Sequence, residues 1–220
     1  NRLAQVGLEQ DGFADAVRLV RNRGAYMQEA VPVGQGAMAA VLGLDDALIE
    51  QACAEAAGTE VVAAVNFNSP GQVVIAGHAG AVERAIAACK SLRAKRAMPL
   101  PVSAPFHTTL MKPAGDRLAQ DLAEIRLDSP LVPVIHNVHA RPEHDAGKIR
   151  ALLVQQIASP VQWVGSVRFM ADAGAQRVVE VGPGKVLGGL CKRIDAALEC
   201  LYSEEPQDLD KALAAAGAPN

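Results

Sequence analysis

The chain has 220 residues, of which half are hydrophobic, 20% charged and only 3% aromatic, with a formal net charge of −3. That length and apolar fraction supply one sizeable core and leave room for a small insertion. The mild charge and the scarcity of rings exclude a basic nucleic-acid face and a base-stacking platform.

Taken in chain order, Phe13 to Gln28 has the spacing of an amphipathic helix, with Phe13, Val17, Val20, Tyr26 and Met27 marking its apolar side. From Gly36 to Leu100 the pattern is regular. Strands are predicted over Ala37–Leu42, Val61–Val65, Gln72–Ala76 and Arg96–Leu100. Helices are predicted from Asp45 or Asp46 to Ala57, stopped by Gly58, and from Ala79 to Leu92. The segment Asn66-Phe67-Asn68-Ser69-Pro70-Gly71 is turn-rich. The order β-α-β-β-α-β is the split unit of ferredoxin-like folds. After His107 the chain changes to α/β alternation. Helices are expected over Met111–Ile125, from an Asp145 cap to Ile157, over Val161–Ala173, Val186–Ala196 and Asp208–Ala216. Strands are expected over Pro133–Val138, Arg177–Val181 and Glu199–Tyr202. Such alternation implies parallel pairing with helices on the sheet faces. The fold class is therefore α/β: a body of residues 1–35 and 101–220 with a ferredoxin-like subdomain, 36–100, inserted into it. The cleft between two such units is a usual place for a site.

His107 is the leading candidate for chemistry. Pro99 to Pro105 forms an extended, proline-bearing run, and Phe106-His107 ends it just before a helix that opens on Lys112-Pro113. A general base is often mounted at such an exit. His78, His136, His139 and His144 have no comparable frame, and His136 with His139 has no third ligand at metal spacing, so no metal site is expected. Arg23, in Arg21-Asn22-Arg23-Gly24, is either a solvated helix arginine or a bidentate clamp on a carboxylate. Gln162, in Pro160-Val161-Gln162-Trp163, is either an ordinary helix-start residue or a support for a catalytic imidazole. Asn66 lies in the amide-rich turn, which is explained by Asx-turn chemistry or by substrate contact. Gly182-Pro183-Gly184-Lys185 fails the dinucleotide fingerprint, because Leu187 stands where the third glycine belongs. It reads as a strand-to-helix turn. Lys90, Arg93, Lys95 and Arg96 form a solvated basic helix end on which an acidic partner could dock. Cys53, Cys89, Cys191 and Cys200 form no C-x-x-C pair and read as small buried hydrophobes in a reducing cytoplasm. No apolar run of about 18 residues predicts a membrane span, and Asn1 to Val6 does not form a signal peptide.

Together these segments resemble the malonyl-CoA:acyl carrier protein transacylases of the acyltransferase family. Val65 to Gly77 resembles their subdomain signature. Ala104-Pro105-Phe106-His107 with Leu110-Met111-Lys112-Pro113 resembles their catalytic-histidine segment, and Phe13 to Gly24 their arginine helix. Pro160-Val161-Gln162-Trp163 and Glu180 to Leu187 are similar to further family segments, in the same order. The resemblance implies a parallel-sheet, hydrolase-like body and a two-step ping-pong transfer. In that transfer a serine takes the malonyl group from CoA and passes it to the phosphopantetheine thiol of the carrier protein, in fatty-acid synthesis. His107 would then be base and acid, Arg23 the partner of the malonyl carboxylate, Gln162 a support of the imidazole, and Phe106 a ring that crowds an α-methyl group. The implied partners are malonyl-CoA and acyl carrier protein, with no metal, cofactor, nucleic acid or membrane.

The family's Gly-His-Ser-x-Gly elbow does not occur in these residues. Gly34-Gln35-Gly36 lies in the wrong context for the family's oxyanion loop, and Asn1 to Asp11 does not match clearly. Ser69, Ser91, Ser103, Ser129, Ser159, Ser166 and Ser203 have no elbow around them. The reading is thus of a C-terminal portion, with no initiator Met and incomplete at the N-terminus of the body, and inactive in transfer by itself. The other reading is a non-catalytic module that binds the carrier protein or a CoA thioester.

Overall fold

The computed structural model describes residues 10–102, 104–215 and 217; residues 1–9 and Ser103, both read above, lie outside the described residues. The chain divides into two compact units, one ending at Trp163 and one running Val164–Asn220.

The first unit contains a four-stranded antiparallel sheet of β1 (Gly36–Leu42), β2 (Val62–Ser69), β3 (Gln72–His78) and β4 (Arg96–Pro99), in the order β2-β3-β1-β4. Helices α2 (Asp46–Ala57) and α3 (Ala79–Ser91) are the crossovers. This is the β-α-β-β-α-β order expected over 36–100, with the two crossovers interleaved so that each straddles a strand of the other. The period-2 alternation of the strands makes two apolar faces. Ala39, Val41, Val62, Ala64, Val73 and Ile75 pack under Ile49, Cys53, Val82 and Cys89 of the helices. Met38, Val65, Val74 and Ala76 point to the other side, where Leu100 and Phe106 lie against them.

The turn expected at 66–71 is shorter than its composition suggests. β2 continues through Asn66 and Phe67 to Ser69, and only the Pro70-Gly71 corner turns, with Gly71 at φ 70°. The physical reason is a non-local partner. Val161 N–H donates to the Val65 carbonyl at 2.8 Å, and Phe67 N–H donates to the Val161 carbonyl at 3.0 Å. The open edge of β2 is thus paired by a segment about a hundred residues away, and register shifts at Ala64/Asn66 and Phe67/Ser69 fit the strand to it.

The remainder of this unit is helical. α1 (Gln10–Glu29), α4 (Lys112–Ala123) and α5 (Ala146–Gln155) enclose a core of Ala16, Leu19, Met27, Met111, Leu118, Leu122, Ile149, Leu153 and Ile157. Asp145 caps α5 as expected, accepting from Lys148 N–H at 2.8 Å. The stripe marked by Phe13, Val17 and Val20 is not the one that α1 buries. Phe13 and Val17 are 54% and 47% exposed, whereas Ala16, Leu19, Arg23 and Met27 are buried. Spacings of three and four make both stripes contiguous, and packing on α4 selects the second. The strand expected at 133–138 is β5 (Val134–His136), and its partner is not parallel. It forms a short antiparallel hairpin with β6 (Arg141–Glu143), with Ala140 at φ 56° in the turn. β6 has no signature in the sequence because a proline sits at its centre.

In the second unit, α6 (Trp163–Asp172) begins at the junction. β7 (Arg177–Glu180), α7 (Val186–Ile194) and β8 (Glu199–Tyr202) follow as a βαβ element with parallel strands, and α8 (Pro206–Ala215) closes it. The 182–185 segment is a turn, with Gly182 at φ 125° and Gly184 at φ 86°. The Glu180 carboxylate accepts from Leu187 and Gly188 N–H at 3.1 and 2.9 Å, so the α7 N-terminus already holds an anion. Among the described residues no helix is long and apolar enough to cross a membrane.

One glycine is fixed by close approach. A Cβ on Gly77 would run into the Val61 carbonyl and stand 2.6 Å from Val62 Cα, both backbone. Gly77→Ala is expected to cost about 2–3 kcal/mol by overpacking. Gly24→Ala, where a Cβ meets nothing within 4 Å, should gain about 0.5–1 kcal/mol of helix stability. Urea unfolding of both variants checks the pair, and equal midpoints would contradict the assignment.

Candidate active site

The segment after β4 presents His107 by a tight turn. Phe106 N–H donates to the Ala104 carbonyl at 2.9 Å, and Met111 N–H to the Thr108 carbonyl at 3.0 Å. The Thr108 hydroxyl donates to the Pro105 carbonyl at 2.8 Å. Between these bonds His107 sits at φ 65°, in the left-handed region that a non-glycine residue occupies only when its surroundings impose it. The surroundings are rigid: Ala104, Thr108 and Met111 are all buried.

The imidazole is tied down at one nitrogen. His107 Nδ1 lies 2.9 Å from the Gln156 backbone carbonyl. A carbonyl only accepts, so Nδ1 carries the proton, and Nε2 is the basic nitrogen of the neutral ring. The acceptor is available because α5 ends there. Its last carbonyls have no helical N–H partner, and Gln156 caps the helix. The same end carries the negative pole of the helix, which favours a positive charge on a nearby ring by about 0.3–1 kcal/mol.

The sequence reading assigned support of the imidazole to Gln162; the contact at this ring nitrogen is to the Gln156 backbone carbonyl. The expected helix ran to Ile157 whereas α5 ends at Gln155; the Gln156 carbonyl has no helical N–H partner in either case, because residue i+4 is Pro160. The Gln162 N–H donates to the Asn137 carbonyl at 2.8 Å. Asn66 is a strand residue rather than a turn residue, bridged in parallel to Val161. Asn66 and Gln162 thus approach one another through Val161. Phe106 is half-buried and packs against both the helical core and the second face of the sheet, which fixes the turn that carries His107.

Arg23 projects from the buried stripe of α1 and is only 8% exposed. It lines a small pocket of about 20 Å³ with Ala16, Leu19, Val20, Leu118, Leu153 and Gln156. A guanidinium at an apolar wall is a strong bidentate site for a carboxylate, because little water competes. The residue that anchors His107 and the buried cation share this one pocket. The cysteines are poor nucleophiles: burial pushes Cys53 up to about 12 and Cys191 up to about 11.

The family model for the acyl transferase domain matches residues 9–193. This chain belongs to the acyl transferase domain family. The acyl transferase chain is 59% identical over 201 residues to the malonyl CoA-acyl carrier protein transacylase of Escherichia coli K12, covering 91% of this chain and 65% of that protein. Its fold matches the acyl carrier protein S-malonyltransferase of Vibrio cholerae with a TM-score of 0.89 at 52% identity, over 91% of this chain and 65% of that one. It also matches a malonyl-transacylase solved in complex with its type II PKS acyl-carrier protein, with a TM-score of 0.89 at 49% identity, over 92% of this chain and 66% of that one. The acyl transferase chain thus spans about 65% of the length of the curated relatives it matches.

Thr108 is a residue that motif reading passed over. Thr108→Val keeps the volume and removes the hydroxyl that closes the turn. Stability should fall by about 1–2 kcal/mol, and the His107 ring resonances should shift. Thr108→Ser should restore those resonances. An unchanged His107 spectrum in Thr108→Val would remove Thr108 from the site.

Proposed function

We propose that this chain carries the base and the carboxylate clamp of a malonyl-CoA:acyl carrier protein S-malonyltransferase, acting by a ping-pong Ser-His mechanism in fatty-acid synthesis. The observation that supports it best is the shared pocket: Gln156 both anchors His107 Nδ1 and lines, with the buried Arg23, one small apolar-walled site. An imidazole whose basic nitrogen is Nε2, linked through Gln156 to the pocket of a buried cation, suits a thioester whose acyl group ends in a carboxylate.

In the first half-reaction His107 Nε2 takes the proton of a serine hydroxyl as its oxygen bonds to the malonyl carbonyl carbon. The carbon–sulfur bond to CoA breaks, and the imidazolium gives its proton to the CoA thiolate. In the second, Nε2 takes the proton of the carrier's phosphopantetheine thiol as the sulfur attacks the ester. The serine oxygen leaves and recovers the proton. Arg23 holds the malonyl carboxylate through both steps, which keeps the carbonyl in register. Phe106, beside His107, narrows the space next to the α-carbon, and Asn66 and Gln162 line the approach. The β1–β4 sheet with α2 and α3 is read as the ferredoxin-like subdomain, 36–100, on a hydrolase-like α/β body. A cytoplasmic location is part of the same reading, and the four free thiols fit a reducing compartment.

The serine elbow is not among these residues, so the chain by itself is expected to form no malonyl ester above background. The test joins the chain to the elbow-bearing remainder of the Escherichia coli relative and follows malonyl transfer to the carrier thiol. Transfer should appear in the fusion and fall about 1000-fold with His107→Ala. It should lose about 100-fold of its malonyl-over-acetyl preference with Arg23→Ala. Rapid ester formation on the isolated chain, or indifference to His107→Ala, would overturn the reading.

A further inference from the structure

α1 delivers Arg23 to the pocket, and the direction of a side chain on a helix is set by the helix's roll about its own axis. Apolar packing alone fixes that roll loosely here, since α1 carries a second apolar stripe of Phe13, Val17 and Val20 that is left exposed. A rotation of α1 by about one residue's angle, near 100°, would bring that stripe onto α4 and carry Arg23 out of the pocket.

A polar latch opposes this rotation. Asn22 Nδ2 donates to Asp121 Oδ2 at 2.9 Å, and the Tyr26 hydroxyl donates to the same oxygen at 2.9 Å. Asn22 and Tyr26 are four residues apart, one turn of the helix, and they flank Arg23 on its N- and C-terminal sides. Asp121 belongs to α4, the helix against which α1 packs. The Arg117 guanidinium, also on α4, lies 3.8 Å over the Tyr26 ring and donates to Glu29 of α1 at 2.6 Å. Two donors converging on one carboxylate oxygen define a line along α1, and a line fixes roll where a single contact does not. The hydrogen bond to Asp121 also holds the Tyr26 phenol above its ordinary range.

We infer that Asp121 is a positioning residue: by accepting from Asn22 and Tyr26 it sets the roll of α1, and thereby aims the Arg23 guanidinium into the pocket it shares with Gln156. The inference rests on the reading of Arg23 as the carboxylate clamp. It makes acyl-group selectivity depend on a residue of α4 that does not line the pocket.

The test uses this chain, labelled so that the Arg23 Nε–H resonance is seen at pH 6, with malonate as the probe and acetate as the control. In the wild type the resonance should be dispersed and should move with malonate much more than with acetate. Asp121→Ala should collapse it toward the exchange-averaged arginine position and weaken malonate binding about 10-fold or more. Asp121→Asn, which keeps one acceptor oxygen, should restore both. If Asp121→Ala does not fold, Asn22→Ala and Tyr26→Phe each remove one donor and should give intermediate effects. A lowered melting temperature in Asp121→Ala, with the Arg23 resonance and malonate affinity unchanged, would reduce Asp121 to a structural residue and overturn the inference. A wild-type resonance that ignores malonate would overturn the clamp reading instead. The roll claim would then stand or fall on whether the variant's Arg23 resonance collapses.

Discussion

The hydrogen bond between His107 Nδ1 and the Gln156 carbonyl is the constraint on which the site depends. It joins a turn that follows the antiparallel sheet to the end of a helix in the neighbouring core, and it selects one tautomer of the ring. Each side of the bond is made available by a local irregularity. His107 is turned toward the helix by a left-handed backbone that the Thr108–Pro105 bond and buried neighbours impose. Gln156 has an acceptor to offer because α5 stops one residue before it. Strain at one end and an unfilled helical carbonyl at the other are each unfavourable alone, and the shared bond offsets both.

Arg23 depends on a different kind of constraint. A buried guanidinium loses hydration that only an anion or good acceptors replace, so its helix must be held in one orientation for the cation to be useful. The α1–α4 contact supplies this with a half-buried carboxylate that serves two donors, supplemented by the exposed Arg117–Glu29 pair, which by itself contributes little. Arg23 and the Gln156 carbonyl that meets His107 are thus both carried by the helical layer of α1, α4 and α5, whose core of Leu118, Leu122, Ile149 and Leu153 holds them together.

Much of this was legible in the sequence where the signal was local. The β-α-β-β-α-β run showed its strands, helices and stops because alternation, Asp45 and Gly58 are all short-range features. The frame around His107 was likewise visible, since prolines and a helix start surround it. What the sequence hid was non-local. The extension of β2 through Asn66 depends on Val161, the β5–β6 hairpin depends on a strand with a central proline, and the buried side of α1 depends on which of two stripes meets α4. The Gln156 contact was hidden because the acceptor is a backbone carbonyl, which leaves no side-chain signature.

The site turns on which ring nitrogen of His107 carries the proton and on what holds it there. The most direct measurement is the pair of ring ¹⁵N shifts of His107 in this chain at a pH where the imidazole is neutral. The 2.9 Å contact predicts a protonated Nδ1 with a through-hydrogen-bond coupling to the Gln156 carbonyl, and an unprotonated Nε2. A ring protonated at Nε2, or one that exchanges freely between tautomers, would contradict it.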